Sequence, residues 1–290
     1  MSDKIIKFMS HVDMVKIACL DSTQLVEEAR AIHKLNPTPT AALGRLLTMA
    51  ALMGGYIKEK EDKITLQVLG DGILGSMLAA STFGAKVKGY VSQPLAEAEE
   101  REDGKLNVGA IVGKGDLRVI KDIGLKDPYI GVVPLQTGEI AEDFAYYYAF
   151  SEQIPSAVAL GVLVNKDGSV KRAGGYLLQI MPDTPEQIIK LIEDRISSAK
   201  SITQMLEDNM SLEEIATYIS DDLNTRAVEE IKPEYNCDCS RERMEKALIS
   251  LGRKELEKLL QDEVTELQCH FCNKKYKFNK DEIEKILIIT

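Results

Sequence analysis

Four of the chain's five cysteines fall in two tight pairs, Cys237 and Cys239 in NCDC and Cys269 and Cys272 in QCHFC, with 29 residues between the pairs. No other feature constrains a stretch of this chain so strongly. The start MSDKIIKFMS lacks the basic, apolar and small-residue sections of a secretory leader, and no apolar run approaches the roughly 18 residues of a membrane-spanning helix. A soluble, cytoplasmic protein is therefore expected. In a reducing cytosol, close cysteine pairs serve metal binding or redox chemistry more often than permanent cross-links, and an odd cysteine total argues against a disulfide framework.

The stretch that carries the pairs, 231–290, is about 60 residues long, a size that is marginal without a disulfide, a metal or a partner. Cys237, Cys239, Cys269 and Cys272 supply four soft thiolates, the ligand set of a closed tetrahedral structural zinc site with Zn–S bonds near 2.3 Å. The alternative is four buried free thiols, since C-x-C is less common than C-x-x-C at zinc sites. His270 lies inside the second pair, where it would have to compete with Cys269 and Cys272, and is expected to be a solvated loop histidine.

Charge divides the 290 residues into three parts. Residues 1–181 carry 20 Lys/Arg and 22 Asp/Glu, residues 182–230 carry 4 and 12, and residues 231–290 carry 12 and 12. The middle part thus holds −8 of the net −10. Nucleic acid is disfavoured as a main ligand, because phosphate binding needs a basic patch that releases counterions.

The first part mixes helices and strands. A helix is predicted over 22–35 with Ser22 as its cap, and another from TPTAALGRLL with Thr38 as cap and Pro39 in the first turn. The run ITLQVLGDGILGSMLAASTFGAKVKGYVSQP predicts three strands, followed by LNVGAIV and DLRVIKD as further strands about a GKG turn. GEIAEDFAYYYAF predicts a helix, and SAVALGVLV with SVKRAGGYLLQIM a hairpin about NKDG. The expected class is α+β: a mixed helix and antiparallel-sheet domain over 1–181, a helical linker over 182–230 and a small domain over 231–290. Within the linker, TPEQ at 184–187 predicts a capping box ahead of an apolar stripe of Ile188, Ile192, Ile196, Ala199 and Ile202. Ser211 and Glu214 predict a second box, with Met210 and Ile215 as its hydrophobic staple.

Other candidates read as structural. Cys19 shares a strand face with Val15 and Ile17 and is expected as a buried core thiol. His11 and His33 lack an acid or nucleophile partner in visible spacing and are expected in surface or cap roles. The glycines of GDGILG and GKGD lead into no helix and are expected in hairpin turns rather than phosphate loops. Tyr146, Tyr147 and Tyr148 are expected in the core with partial exposure, and AEAEERED at 96–103 as a solvated loop.

The two cysteine motifs, as NCDCSRERMEKALISLG and ELQCHFCNKKYKF, resemble the C-terminal signature of the heat shock protein 33 family of zinc-dependent, redox-regulated chaperones. NPTPTAALGRLL, GEIAEDFAYYYAFSEQIPSAVALGVLV and AGGYLLQIMP look like that family's N-terminal motifs in family order, so the resemblance spans nearly the whole chain. It implies an N-terminal substrate-binding domain, a helical linker and a C-terminal zinc redox switch with no enzymatic activity. It further implies one zinc on Cys237, Cys239, Cys269 and Cys272 in the reduced form. Oxidation would pair Cys237 with Cys239 and Cys269 with Cys272, release zinc and switch on ATP-independent binding of unfolded clients, with a homodimer in the active form.

Elementary chemistry agrees with such a switch. Sulfurs on one tetrahedral zinc lie about 3.8 Å apart, whereas a disulfide needs about 2.05 Å, so the two states exclude each other. Zinc binding is worth about 10–16 kcal/mol in finger peptides, as much as the roughly 5–15 kcal/mol that holds an ordinary domain together. Losing the ion should unfold the small domain, loosen the self-repelling linker and expose apolar surface. Two rival readings are a zinc-ribbon nucleic-acid binder, which needs a basic face, and a thiol oxidoreductase using Cys269 and Cys272, which needs its C-x-x-C to open a helix.

Overall fold

Two runs near the start, KIIKFM and VKIACLD, are mostly apolar, and consecutive residues in each are buried, the pattern of strands covered on both faces. They form β1 (Lys4–Met9) and β2 (Val15–Asp21) in a computed structural model that describes residues 3–10, 14–99, 101–102, 104–221 and 223–289. Next come α1 (Thr23–His33), α2 (Pro37–Gly54), β3 (Lys63–Gly70), β4 (Ser76–Thr82), β5 (Lys86–Val91) and α3 (Val108–Val112). β6 (Gly115–Asp122), β7 (Tyr129–Pro134) and α4 (Ala141–Tyr147) follow, α4 running on into a wider turn over Tyr148–Glu152. β8 (Ser156–Val164) and β9 (Val170–Ile180) make a hairpin, succeeded by α5 (Glu186–Ser197), α6 (Ile202–Glu207), α7 (Leu212–Ile219), β10 (Arg226–Ile231) and β11 (Glu234–Tyr235). After Asn236 the chain passes into a second compact unit.

The first unit is α+β with antiparallel sheets, as expected. One sheet runs β10-β1-β2-β9-β8 and the other β11-β5-β4-β3-β6-β7, with the two-residue β11–β5 pairing parallel. α2 is apolar all round, so it needs cover on every side. It is buried from Thr38 to Gly54 except at Arg45. Its core includes Ile5, Ala18, Leu20 and Leu177 from the first sheet and Leu66, Val68, Ala79 and Val119 from the second. The alternate residues of the first sheet, Ile6, Phe8, Val15, Ile17, Cys19, Tyr176 and Leu178, point the other way. There α5, α6 and α7 cover them with Ile192, Ile202, Met205, Ile215 and Ile219.

Several local expectations needed correction. Ser22 does flank α1, but its hydroxyl is buried against Thr48 Oγ1 at 2.8 Å. The open amides of Gln24 and Leu25 donate instead to the Asp3 carboxylate, at 2.9 and 2.6 Å. α2 begins at Pro37 after Asn36, not at a Thr38 cap. Pro37 and Pro39 have no N–H to satisfy, which leaves Asn36 to donate to Leu95 O at 3.1 Å and Glu97 at 2.9 Å. LNVGAIV forms α3 rather than a strand, because Asn107 Oδ1 accepts from Ala110 N at 3.2 Å and Glu139 accepts from Gly109 N at 3.0 Å.

In the linker, Thr184 donates its hydroxyl to Met14 O and Met181 O at 2.9 and 2.8 Å, so TPEQ forms no capping box. The apolar stripe breaks after α5, and Ile202 starts α6 behind a box made by Ser201 and Gln204. The Ser211–Glu214 box forms as expected, at 3.1 and 2.7 Å, with Met210 packed beside the Ile215 cluster. Helix does not continue to 230. Arg226–Ile231 add to the open edge of β1, where Lys7 Nζ reaches Glu229 at 2.7 Å.

The second unit holds α8 (Arg241–Ser250), α9 (Arg253–Leu259), β12 (Val264–Gln268), β13 (Lys275–Asn279) and α10 (Lys280–Ile289). Among the described residues its core cluster of buried residues is Leu248, Leu256, Tyr276, Phe278, Ile283 and Ile286. A core of that size leaves the unit dependent on something besides apolar burial.

Candidate thiol metal centre

Local structure brings each cysteine to one point. Cys237 and Cys239 lie in the extended segment before α8, which Ser240 caps by accepting from Arg243 N at 3.3 Å, while Asp238 pairs with Arg243. Cys269 and Cys272 sit on the turn joining β12 to β13. Cys269 N donates to Lys274 O at 2.9 Å and Asn273 N to Cys269 O at 2.8 Å. Asn273 takes the left-handed conformation at φ 58°, which asparagine tolerates better than most residues, and Gln268 Nε2 donates to its side chain at 3.0 Å.

The four Sγ atoms all lie within 4.8 Å of one another. Cys237 and Cys269 are 3.6 Å apart and Cys239 and Cys272 3.4 Å, beside the edge of about 3.8 Å for a four-sulfur zinc tetrahedron. No pair is bonded as a disulfide. Donor number, donor softness and spacing therefore fit a soft divalent ion. Among the described residues this is the one group of its kind, and it contains no histidine. His270 is exposed on the turn.

Electrostatics differ among the four. Burial pushes the thiols of Cys237 and Cys272 up, although backbone amides of Cys239 and Lys274 donate to their sulfurs. Burial acts on Cys239 in the same sense, but hydrogen bonds from Tyr276 and from the neighbouring thiols outweigh it and hold Cys239 down at about 7. Tyr276 Oη lies 3.1 Å from Cys239 Sγ and 3.1 Å from Cys239 O. Reading the sequence missed this contact. The aromatic residue four places beyond Cys272 was its only signal.

Other sequence candidates lie apart from this centre. Cys19 is wholly enclosed with Val15 and Ile17, and burial pushes its thiol far up, so it is inert as expected. His33 is half-buried and lies 3.1 Å from Tyr235 Oη, a role the sequence did not suggest. His11 falls outside the described residues. GDGILG joins β3 to β4 in a hairpin as expected, whereas GKGD joins α3 to β6 and so is no hairpin turn, because LNVGAIV is helical; Asp71 accepts from Lys114 N between them at 2.7 Å. Tyr147 and Tyr148 are buried and Tyr146 half-buried beside Phe150. The described part of AEAEERED, residues 96–99 and 101–102, forms no regular structure. Among the described residues no helix is long and apolar enough to cross a membrane.

Comparison with known proteins bears on the whole chain. A family model described as Hsp33 protein matches residues 3–279. A 33 kDa chaperonin of Clostridium botulinum (strain Langeland) is 48% identical over 289 residues, covering 99% of this chain and 98% of its own. One from Clostridium perfringens (strain ATCC 13124) is 47% identical over 290 residues, covering 99% and 91%. The crystal structure of a 33 kDa chaperonin, described as a heat shock protein 33 homolog, from Thermotoga maritima is similar at a TM-score of 0.91. It is 38% identical, with 100% of this chain and 99% of that one covered.

Proposed function

The chain belongs to the heat shock protein 33 family, and from that premise we propose that it is a cytoplasmic, ATP-independent holdase governed by a thiol switch rather than an enzyme. The observation that carries the reading is the convergence of Cys237, Cys239, Cys269 and Cys272, unbonded and within 4.8 Å, in a unit with very little core of its own. Zinc is the ion proposed for them, and when bound it would keep all four sulfurs ionised and fasten the α8 end of the unit to the β12–β13 turn.

The rest follows from the chain's own residues. Under peroxide, two thiols give up two electrons and two protons, the peroxide becomes two waters, and a disulfide forms. Two such events, Cys237 with Cys239 and Cys269 with Cys272, use up all four donors. The small unit then keeps only its slight core and loses its fold. Asn236 N donates to Val87 O at 2.7 Å directly before Cys237, so disorder in the second unit begins one residue beyond β11, which itself follows β10. Release of β10 and of α5 to α7, a segment with net charge −8, would bare the apolar face of the first sheet for unfolded clients, and a homodimer would form in the active state.

The rival readings gain little support. C-x-x-C here lies on a hairpin turn instead of opening a helix, and the second unit carries no basic excess. The test is suppression of aggregation of a chemically unfolded protein, measured with and without peroxide on samples whose zinc and free thiols are counted. The proposal expects the reduced, zinc-loaded protein to be silent and the oxidised, zinc-free protein to protect. Equal protection by both forms refutes the switch.

A further inference from the structure

We propose that Tyr276 is a positioning residue of the thiol cluster, whose hydroxyl holds Cys239 Sγ by an O–H···S hydrogen bond, slows oxidation of that sulfur and tightens the cluster's hold on a soft divalent ion. The inference rests on the reading above, in which the four thiols bind such an ion and are oxidised by peroxide.

Geometry carries it. The hydroxyl stands 3.1 Å from both Cys239 Sγ and Cys239 O, so one proton is shared between two acceptors. It shifts toward the sulfur when that sulfur is ionised, because a charged acceptor forms the stronger bond. The ring is held in place. It is 7% exposed among Leu248, Leu256, Phe278 and Ile283, stands across the β12–β13 ladder from Leu267, and has Lys274 Nζ 5.3 Å from its centroid. Cys237 and Cys272 receive hydrogen bonds from backbone amides, which no side-chain change removes. The donor to Cys239 is a side chain and can be deleted alone.

The chemistry says what the deletion does. In the first oxidation step a sulfur lone pair attacks a hydroperoxide oxygen, the S–O bond forms, the O–O bond breaks and hydroxide leaves. The sulfur has then lost two electrons to the peroxide. A neighbouring thiol next attacks the sulfenic acid, expelling its oxygen as water and closing the disulfide. A hydrogen bond that occupies one Cys239 lone pair draws electron density from the sulfur and must be weakened before the first of these steps, and the same bond orients the sulfur's remaining lone pairs toward a bound ion.

The test uses the full chain carrying Tyr276→Phe, which keeps the ring and removes only the hydroxyl. Loaded with Co(II), the variant should show its sulfur-to-metal charge-transfer band at longer wavelength, because the sulfur lone pair lies higher without its donor. Zinc affinity should fall about 10–100-fold, the usual effect of losing a partner that orients a ligand. Peroxide-driven loss of free Cys239, read by alkylation and peptide mass spectrometry, should accelerate about tenfold, the lower end of what a hydrogen bond to a charged group is worth. Leu267→Ala loosens the same core without touching the hydroxyl and should leave the band in place. Replacing Tyr276 with 3-fluorotyrosine keeps the fold, makes the hydroxyl a stronger donor and should move the band to shorter wavelength. An unmoved band in the Phe and fluorotyrosine proteins, or an equal shift in Leu267→Ala, overturns the inference alone. A wild-type protein with no four-sulfur Co(II) spectrum overturns the switch reading together with it.

Discussion

Replacing Ile192 by Asp should free the linker helices while the cysteines stay reduced. Ile192 is 2% exposed and is the one fully enclosed residue of α5, packed in the cluster that includes Ile202, Met205, Ile215 and Ile219 over the first sheet. Burying an isoleucine side chain is worth about 1.5–3 kcal/mol, and a carboxylate left without partners there costs about 1–3 kcal/mol more. The helices it anchors are 12, 6 and 8 residues long, whereas an isolated helix needs about 12–15 residues to be even marginal in water. A loss of about 3–6 kcal/mol therefore exceeds what local propensity returns, and α5 should leave the sheet. Hydrogen exchange over 186–219 should rise, and the reduced, metal-loaded variant should suppress client aggregation. Leu191→Asp makes the same charge change at a neighbour that is 37% exposed and should change neither. If the Ile192 variant exchanges faster yet stays silent, the covered sheet face is not where clients bind. Wild-type exchange would mean that α5 is not held by this contact.

Cys19→Ser should leave zinc content intact, while Cys269→Ser should lower it strongly; equal loss by both would sink the ligand assignment. Peroxide alone at low temperature should activate the protein only partly, since the Ser201 and Ser211 boxes and the apolar face still hold the linker. Mild heat should add to peroxide, and full activity at once in the cold would contradict this. Burial lifts the Asp3 carboxyl from 3.8 to about 6 against the pull of Gln24 N and Leu25 N. A raised carboxyl contributes its full stability below its unfolded value and loses it as pH climbs through the folded one. Urea stability should therefore fall between about pH 4 and pH 6, by at most about 3 kcal/mol, and flatten there in Asp3→Asn. The same slope in both proteins would clear Asp3.

How much of this could be read from sequence varied with how local the deciding interaction is. The cluster was legible because two short motifs supply all four donors and thiolate chemistry leaves few uses for them. The strands were legible from alternation and glycine turns, as in the β8–β9 hairpin about NKDG. Capping failed wherever a distant partner took the hydroxyl or amide first. Ser22 went to Thr48, Thr184 to Met14 O, and the amides of Gln24 and Leu25 to Asp3. β10 was missed because RAVEEI is exposed at nearly every position and becomes a strand only by adding to the edge of β1. The Tyr276 contact spans 37 residues and depends on the hairpin register, so no spacing rule reveals it.

The pairing of the disulfides decides whether oxidation can open the small unit at all. The thiol contacts at 3.6 and 3.4 Å join Cys237 to Cys269 and Cys239 to Cys272, across separations of 32 and 33 residues. Disulfides made along these contacts would close long loops, restrict the unfolded chain by about 4 kcal/mol each, and keep the α8 end tied to the β12–β13 turn. Pairing within the motifs, Cys237 with Cys239 and Cys269 with Cys272, closes loops of a few residues worth about 2 kcal/mol or less and leaves the two ends untied. Proximity in the reduced state thus favours the crossed pairs, while release of structure requires the pairs within motifs. Loosening of the cluster must therefore precede or accompany the first disulfide, so that the closest contacts are not the ones trapped. Peptide mapping of the oxidised protein under non-reducing conditions should find the motif pairs in the active form. If the active form instead carries Cys237–Cys269 and Cys239–Cys272, the small unit stays stitched, and activation must come from loss of the ion without unfolding.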